Sequence, residues 1–160
     1  MHSQERIEKL AKDTFYRAVR ESVAGIFVLI VSAYFLQQTE AGSAKYYGCL
    51  LSIVTISFVL GVVWAFTISR RALEKHPAAD AIFWREAFET QAKLLRFAPL
   101  WYVAPLAAGS LLFIAPTEES EYSSFLLKLA VVAVLSGGVI YINKLAAEGL
   151  EAEATKLSAE

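Results

Sequence analysis

The stretch REAFETQAKLLRFAPLWYVAPLAAGSLLF, residues 85–113, decides how the chain is read. Residues 85–96 are charged and amphipathic. Residues 97–113 carry no charge and hold Pro99, Trp101, Tyr102, Pro105 and Gly109. The first half suits water and the second suits lipid. A helix passing from one to the other is expected to leave the cytosol and enter a membrane. Pro99 and Pro105 each remove a backbone donor and should bend it.

Three further apolar runs can partner this one. Residues 23–36 (VAGIFVLIVSAYFL) are short for a hydrocarbon core of roughly 30 Å, which needs about 20 residues. Val19, with snorkelling Arg20 and Glu21, supplies the missing length, so the first span is about 19–37. The second is 46–68, with Tyr46, Tyr47 and Trp64 placed as an aromatic belt. The third is 97–115 and the fourth 125–142. The composition agrees: 56% hydrophobic, 19% charged, mean hydropathy +0.46. Soluble domains run at about 45–50% apolar. The expected fold is therefore all-α, one polytopic membrane domain of four transmembrane helices in two hairpins, units 1–76 and 77–160, with cytosolic helical extensions.

Residues 4–22 read as a helix whose face is Ile7, Leu10, Ala11, Thr14 and Ala18. No Pro or Gly cluster separates it from the first span, so one continuous helix over 4–37 is expected. Asp80 is placed to cap a helix starting near Ala81. Residues 143–160 read as a polar tail, helical at first and frayed at its end. The N-terminus is charged for about 20 residues before any apolar run, so the first span is expected to be a retained signal anchor. Of the 15 Lys and Arg, 13 fall in 1–22, 69–97 and 143–160. The positive-inside rule then puts both termini in the cytoplasm.

A gapless shift of 76 residues aligns Lys9 with Arg85, Asp13 with Glu89, Arg17 with Lys93, Arg20 with Arg96 and Gly61 with Gly137. This suggests a tandem repeat of parallel hairpin units.

The candidate chemistry is sparse. The four span cores hold no charged side chain, the usual mark of a proton relay or ion path. Histidine occurs only as His2 and His76, which argues against bound haem or metal. His76 beside Pro77 reads as an ordinary surface histidine. Cys49 is the single cysteine, so neither an intrachain disulfide nor a cysteine-based zinc site can form. No nucleophile–base pair or phosphate-cradling loop is visible. No catalytic residue, cofactor or metal is therefore assigned, and an enzyme is not expected. A net charge of −1 gives no pull toward nucleic acid.

Packing residues are easier to nominate. Ala104, Ala108 and Gly109 in the third span, and Ala133, Gly137 and Gly138 in the fourth, let backbones approach closely. The expected contact joins those two spans, with homo-oligomer formation as the alternative use. On the cytosolic side, Phe83, Ala87, Thr90, Leu94 and Phe97 form a face expected to pack on the N-terminal helix as a cap. Trp84 and Phe88, about 100° round that helix, are left as the candidate partner surface.

Two segments resemble a group of uncharacterised small bacterial inner-membrane proteins, often encoded near extracytoplasmic-function sigma factors. These are R-A-V-R-E-S-V-A and the aliphatic run to Tyr34, and L-L-R-F-x-P-L-W-Y-x-x-P-x-x-x-G from Leu94 to Gly109. The group usually carries a run of Arg and Lys where this chain has Arg17 and Arg20. The resemblance implies fold and setting, the bacterial inner membrane, and no activity. Beyond the lipid bilayer, the expected function is an interaction or regulatory protein, a scaffold or accessory subunit holding an unknown protein partner through its cytosolic helices. The alternative is a small transporter, channel or membrane-shaping protein.

Overall fold

The computed structural model describes residues 3–68, 74–76, 80–116 and 121–157, and among them it is all-helical, with no strand. Helix α1 is Ser3–Gln38, α2 is Ala44–Ala65 and α3 is Ala81–Arg96. A π-helical turn, Pro99–Val103, leads into α4, Ala104–Ile114, and α5 is Tyr122–Leu157. Three helices, α1, α2 and α5, are long and apolar enough to cross a membrane. Helix α3 and the Pro99–Ile114 segment, bent by 44°, make a fourth crossing if the pair counts as one.

The lengths explain the architecture. Helices α1 and α5 have 36 residues each, whereas about 20 suffice to cross hydrocarbon. About four turns of each therefore project beyond an apolar half. The projecting ends of α1 and α5 meet α3, which is amphipathic throughout, and the three build a cap. The tail, expected to be polar and helical at first, is helical to Leu157 and buries a face of its own. Its inward face comes from Ala147, Leu150, Ala154 and Leu157, at spacings of three and four.

In the apolar layer α2 is central. Its buried residues, Gly48, Cys49, Ser52, Thr55, Ile56, Val59 and Val63, lie on two faces. One packs antiparallel on α1, where Gly25 faces Ile56 and Leu60. Trp64 Nε1 donates to Ser22 Oγ at 2.9 Å along the same seam. Small residues repeat every seven along α1, Ala11, Ala18, Gly25 and Ser32, all buried, and Ala18 and Gly25 pack on α2. Small side chains at that spacing allow a close left-handed crossing. The other face of α2 packs on α4. Helix α5 meets α4 less extensively, and no residue of its most apolar window is buried. The two hairpins are therefore packed unequally.

The bend before α4 has a backbone cause. Phe97 N–H still donates to the Lys93 carbonyl at 3.0 Å. Pro99 has no N–H to continue the ladder. Leu100 then takes the Phe97 carbonyl at 3.0 Å, and Ala104 reaches five residues back to Pro99. Pro105 falls in the first turn of α4, where a missing donor costs little. Trp101 folds back so that its indole N–H donates to the Leu94 carbonyl at 3.1 Å. The turn between α1 and α2 is made by Gly42 at φ 89° and capped by Ser43, whose side chain accepts from Tyr46 N–H.

Candidate functional site

The cap holds the largest cluster of buried hydrophobic side chains among the described residues. Ile7 and Leu10 from α1, Trp84 and Phe88 from α3, and Ala154 and Leu157 from α5 form one core cluster. Trp84 is the largest fully buried side chain, at 0% exposure, and Phe88 is 2% exposed. This corrects the assignment of Trp84 and Phe88 as a partner surface. Helix α3 turns these two inward, with Gln91, Ala92 and Leu95, against α1 and the α5 extension together, while Thr90 and Phe97 of the expected face are exposed. Phe83 and Ala87, on the adjoining face, pack at the edge of the same cluster.

The entry to α3 is held by a small polar arrangement. Asp80 Oδ1 accepts from Phe83 N–H at 3.2 Å, the expected N-cap. Asp80 Oδ2 lies 2.9 Å from His76 Nδ1, and the His76 ring stacks on Phe83 at 3.7 Å. The His76 hydrogen bond, and then that of Phe83 N–H, hold the Asp80 carboxyl below its ordinary range. Sequence reading treated His76 as a plain surface group; here it orients the cap residue.

The nominated packing glycines separate into two sets. Gly109 is buried, but its neighbours are Gly48 and Ser52 of α2 rather than α5. Ala104 and Ala108 are exposed. Ala133, Gly137 and Gly138 are exposed as well, and a Cβ added at either glycine would meet nothing within 4 Å. The close approach is therefore between α2 and α4, and the small residues of α5 look outward. Gly48 was missed because it follows the Tyr46–Tyr47 belt. Its signal was Ser52, one turn on, completing a small-residue pair.

Between the cap helices runs an open groove of about 520 Å³. Its floor is apolar, with Leu10, Phe88, Leu95, Ala146 and Leu150. Helix α1 supplies most of its polar rim, Arg6, Lys9, Asp13, Thr14 and Arg17, with Gln91 from α3 and Glu153 from α5. Arg6 Nε pairs with Glu153 Oε2 of α5 at 3.7 Å across the groove. Arg17 differs. Its guanidinium has no hydrogen bond and no ion pair within 4 Å among the described residues. Burial pushes it below its ordinary pKa, against the attraction of Glu21. Glu21 is itself near Tyr102, whose hydroxyl donates to Glu21 Oε2 at 3.4 Å. Tyr102 also lines a crevice of about 150 Å³ between α4 and α5, facing Val132, Leu135, Ser136 and Val139.

No set of three or more His, Cys, Asp or Glu side chains that could hold a metal gathers among the described residues. Ser52 and Ser110 donate to the carbonyls four residues back, at 2.9 Å each, so neither hydroxyl is aimed at a pathway. The chain matches no protein-family model, no curated protein and no solved structure.

Proposed function

We propose that this chain is an integral protein of the bacterial inner membrane, crossing four times with both termini in the cytoplasm. In this reading it acts as a scaffold or accessory subunit and carries no catalysis of its own. The observation that carries it is the division of packing. The cap has the large buried side chains, while the membrane half of α5 buries none in its most apolar window. A packed cap on an anchor whose α5 is only lightly held suits docking better than transport. The backbone contact of Gly48 with Gly109 closes the α2–α4 layer, which also speaks against a path through it.

The partner surface is then the outer side of α3. Ile82 stands 76% exposed there, beside Arg85 and Glu86. A photo-crosslinking residue at Ile82 should give a discrete protein adduct in living cells, while the same residue at Val134 gives lipid adducts. Lipid adducts alone at both positions would overturn the scaffold reading and favour a membrane-shaping role.

A further inference from the structure

The groove in the cap and the crevice between α4 and α5 follow one another along α5, and Glu21 interacts with a lining residue of each, Arg17 in the groove and Tyr102 in the crevice. On α5 the two hollows share one face, from Val132 at one end to Ala146 and beyond at the other. The rise of an α-helix makes that distance about 21 Å. A bilayer is about 40–45 Å thick with its headgroups, so the cleft matches the depth of one leaflet. It is polar and cationic where it meets the cap, and almost wholly apolar beyond Tyr102.

The charges at the polar end point to an anion. Of the groove's acids, Glu153 is engaged by Arg6 and by Lys156, whose Nζ lies 2.6 Å from Glu153 Oε1. Asp13 is the other. Against Asp13 and Glu21, the second of which attracts Arg17, stand Lys9, Arg17 and Arg20. A guanidinium withdrawn from water and lacking a bonded carboxylate is suited to a phosphate, which it can bind through paired N–H groups.

We propose that the cleft holds one anionic phospholipid of the cytosolic leaflet. Its phosphate pairs with Arg17, in the field of Lys9 and Arg20, and one acyl chain lies in the crevice between α4 and α5. The site rests on the membrane placement proposed above and is independent of any protein partner.

The test is native mass spectrometry of the full-length protein in non-ionic detergent, titrated with phosphatidylglycerol or phosphatidylcholine. One phosphatidylglycerol should be retained in preference to phosphatidylcholine. Arg17→Gln should weaken its binding about five- to tenfold, and Arg17→Lys, which keeps the charge but loses the paired N–H groups, should fall between Arg17→Gln and the unaltered protein. Val139→Trp, which fills the crevice and leaves the cation intact, should weaken it too. The proposal is overturned by equal retention of the two lipids, or by Val139→Trp binding phosphatidylglycerol like the unaltered protein. Displacement of the lipid by glycerol phosphate at equal concentration would also overturn it, by revealing a simple anion site. Extraction of the protein from membranes by alkaline carbonate would instead refute the membrane placement, and does so without reference to lipid retention.

Discussion

Trp84→Ala should open the cap. The side chain is wholly buried among Ile7, Leu10, Phe88, Ala154 and Leu157, so it touches all three helices of the assembly. Removing it leaves a cavity that Ala154 and the leucines are too small or too constrained to fill. Substitutions of this kind cost about 3–5 kcal/mol. The apolar halves do not share that core, so the damage should be local to the cap. Limited proteolysis of the detergent-solubilised protein should show early cleavage near the ends of α1 and α5. Ile82→Ala, two residues away on the solvent side, should leave the digestion pattern unchanged. Equal resistance of both variants would mean that α3 does not hold the cap together.

Gly48→Ala should be the most damaging small change in the apolar layer. A Cβ there would stand 2.6 Å from Phe113 N and 2.7 Å from the Gly109 carbonyl oxygen. Both atoms are backbone, so relief requires α2 and α4 to move apart. Overpacking costs about 1–3 kcal/mol where side chains can yield, and here they cannot. Gly109→Ala should be milder. Its nearest obstacle is Ser52 Oγ at 2.7 Å, a hydroxyl that can rotate, though the Gly48 carbonyl remains at 3.2 Å. Gly137→Leu should leave thermal melting in detergent unchanged, since nothing faces that position. Sequence reading expected it to disrupt the third-to-fourth helix contact. A melting order with Gly137→Leu lowest would restore that contact.

The parts of this fold that were legible in the sequence are those carried by strong local signals. Helix α1 could be read as continuous because nothing in residues 4–37 breaks it. The Asp80 cap and the bend near Pro99 follow from single residues with known backbone consequences. The α1 face was followed from Ile7 to Ala18, but its continuation through Gly25 and Ser32 was hidden in an aliphatic run, where hydropathy varies little around the helix. The α5 extension was hidden differently. Its inward face includes Ala147 and Ala154, and alanine marks a buried stripe faintly among so many Ala and Glu. Leaving that helix out of the cap led to the error at Trp84 and Phe88. The buried face of α3 is Trp84, Phe88, Gln91, Ala92 and Leu95, about 100° round from the expected one, on which Thr90 and Phe97 are exposed. The arginine at position 17 was counted among cytosolic bases, since its lack of an ion partner depends on where α5 and Tyr102 come to lie.

The two ends of the chain meet to form the cap with α3, and in the proposed placement both lie on one side of the membrane. Arg6 and Glu153 report on it directly, because their side chains reach each other across the groove at 3.7 Å. In a Cys49→Ala background, Arg6→Cys with Glu153→Cys should be joined by a short bis-maleimide in sealed inverted membrane vesicles. The product should be an intramolecular species of altered mobility, formed at protein densities too low for crosslinks between chains. Single-cysteine variants at the two positions should both react with a membrane-impermeant maleimide from the same face. Labelling of the two positions from opposite faces, with no intramolecular product, would contradict the account.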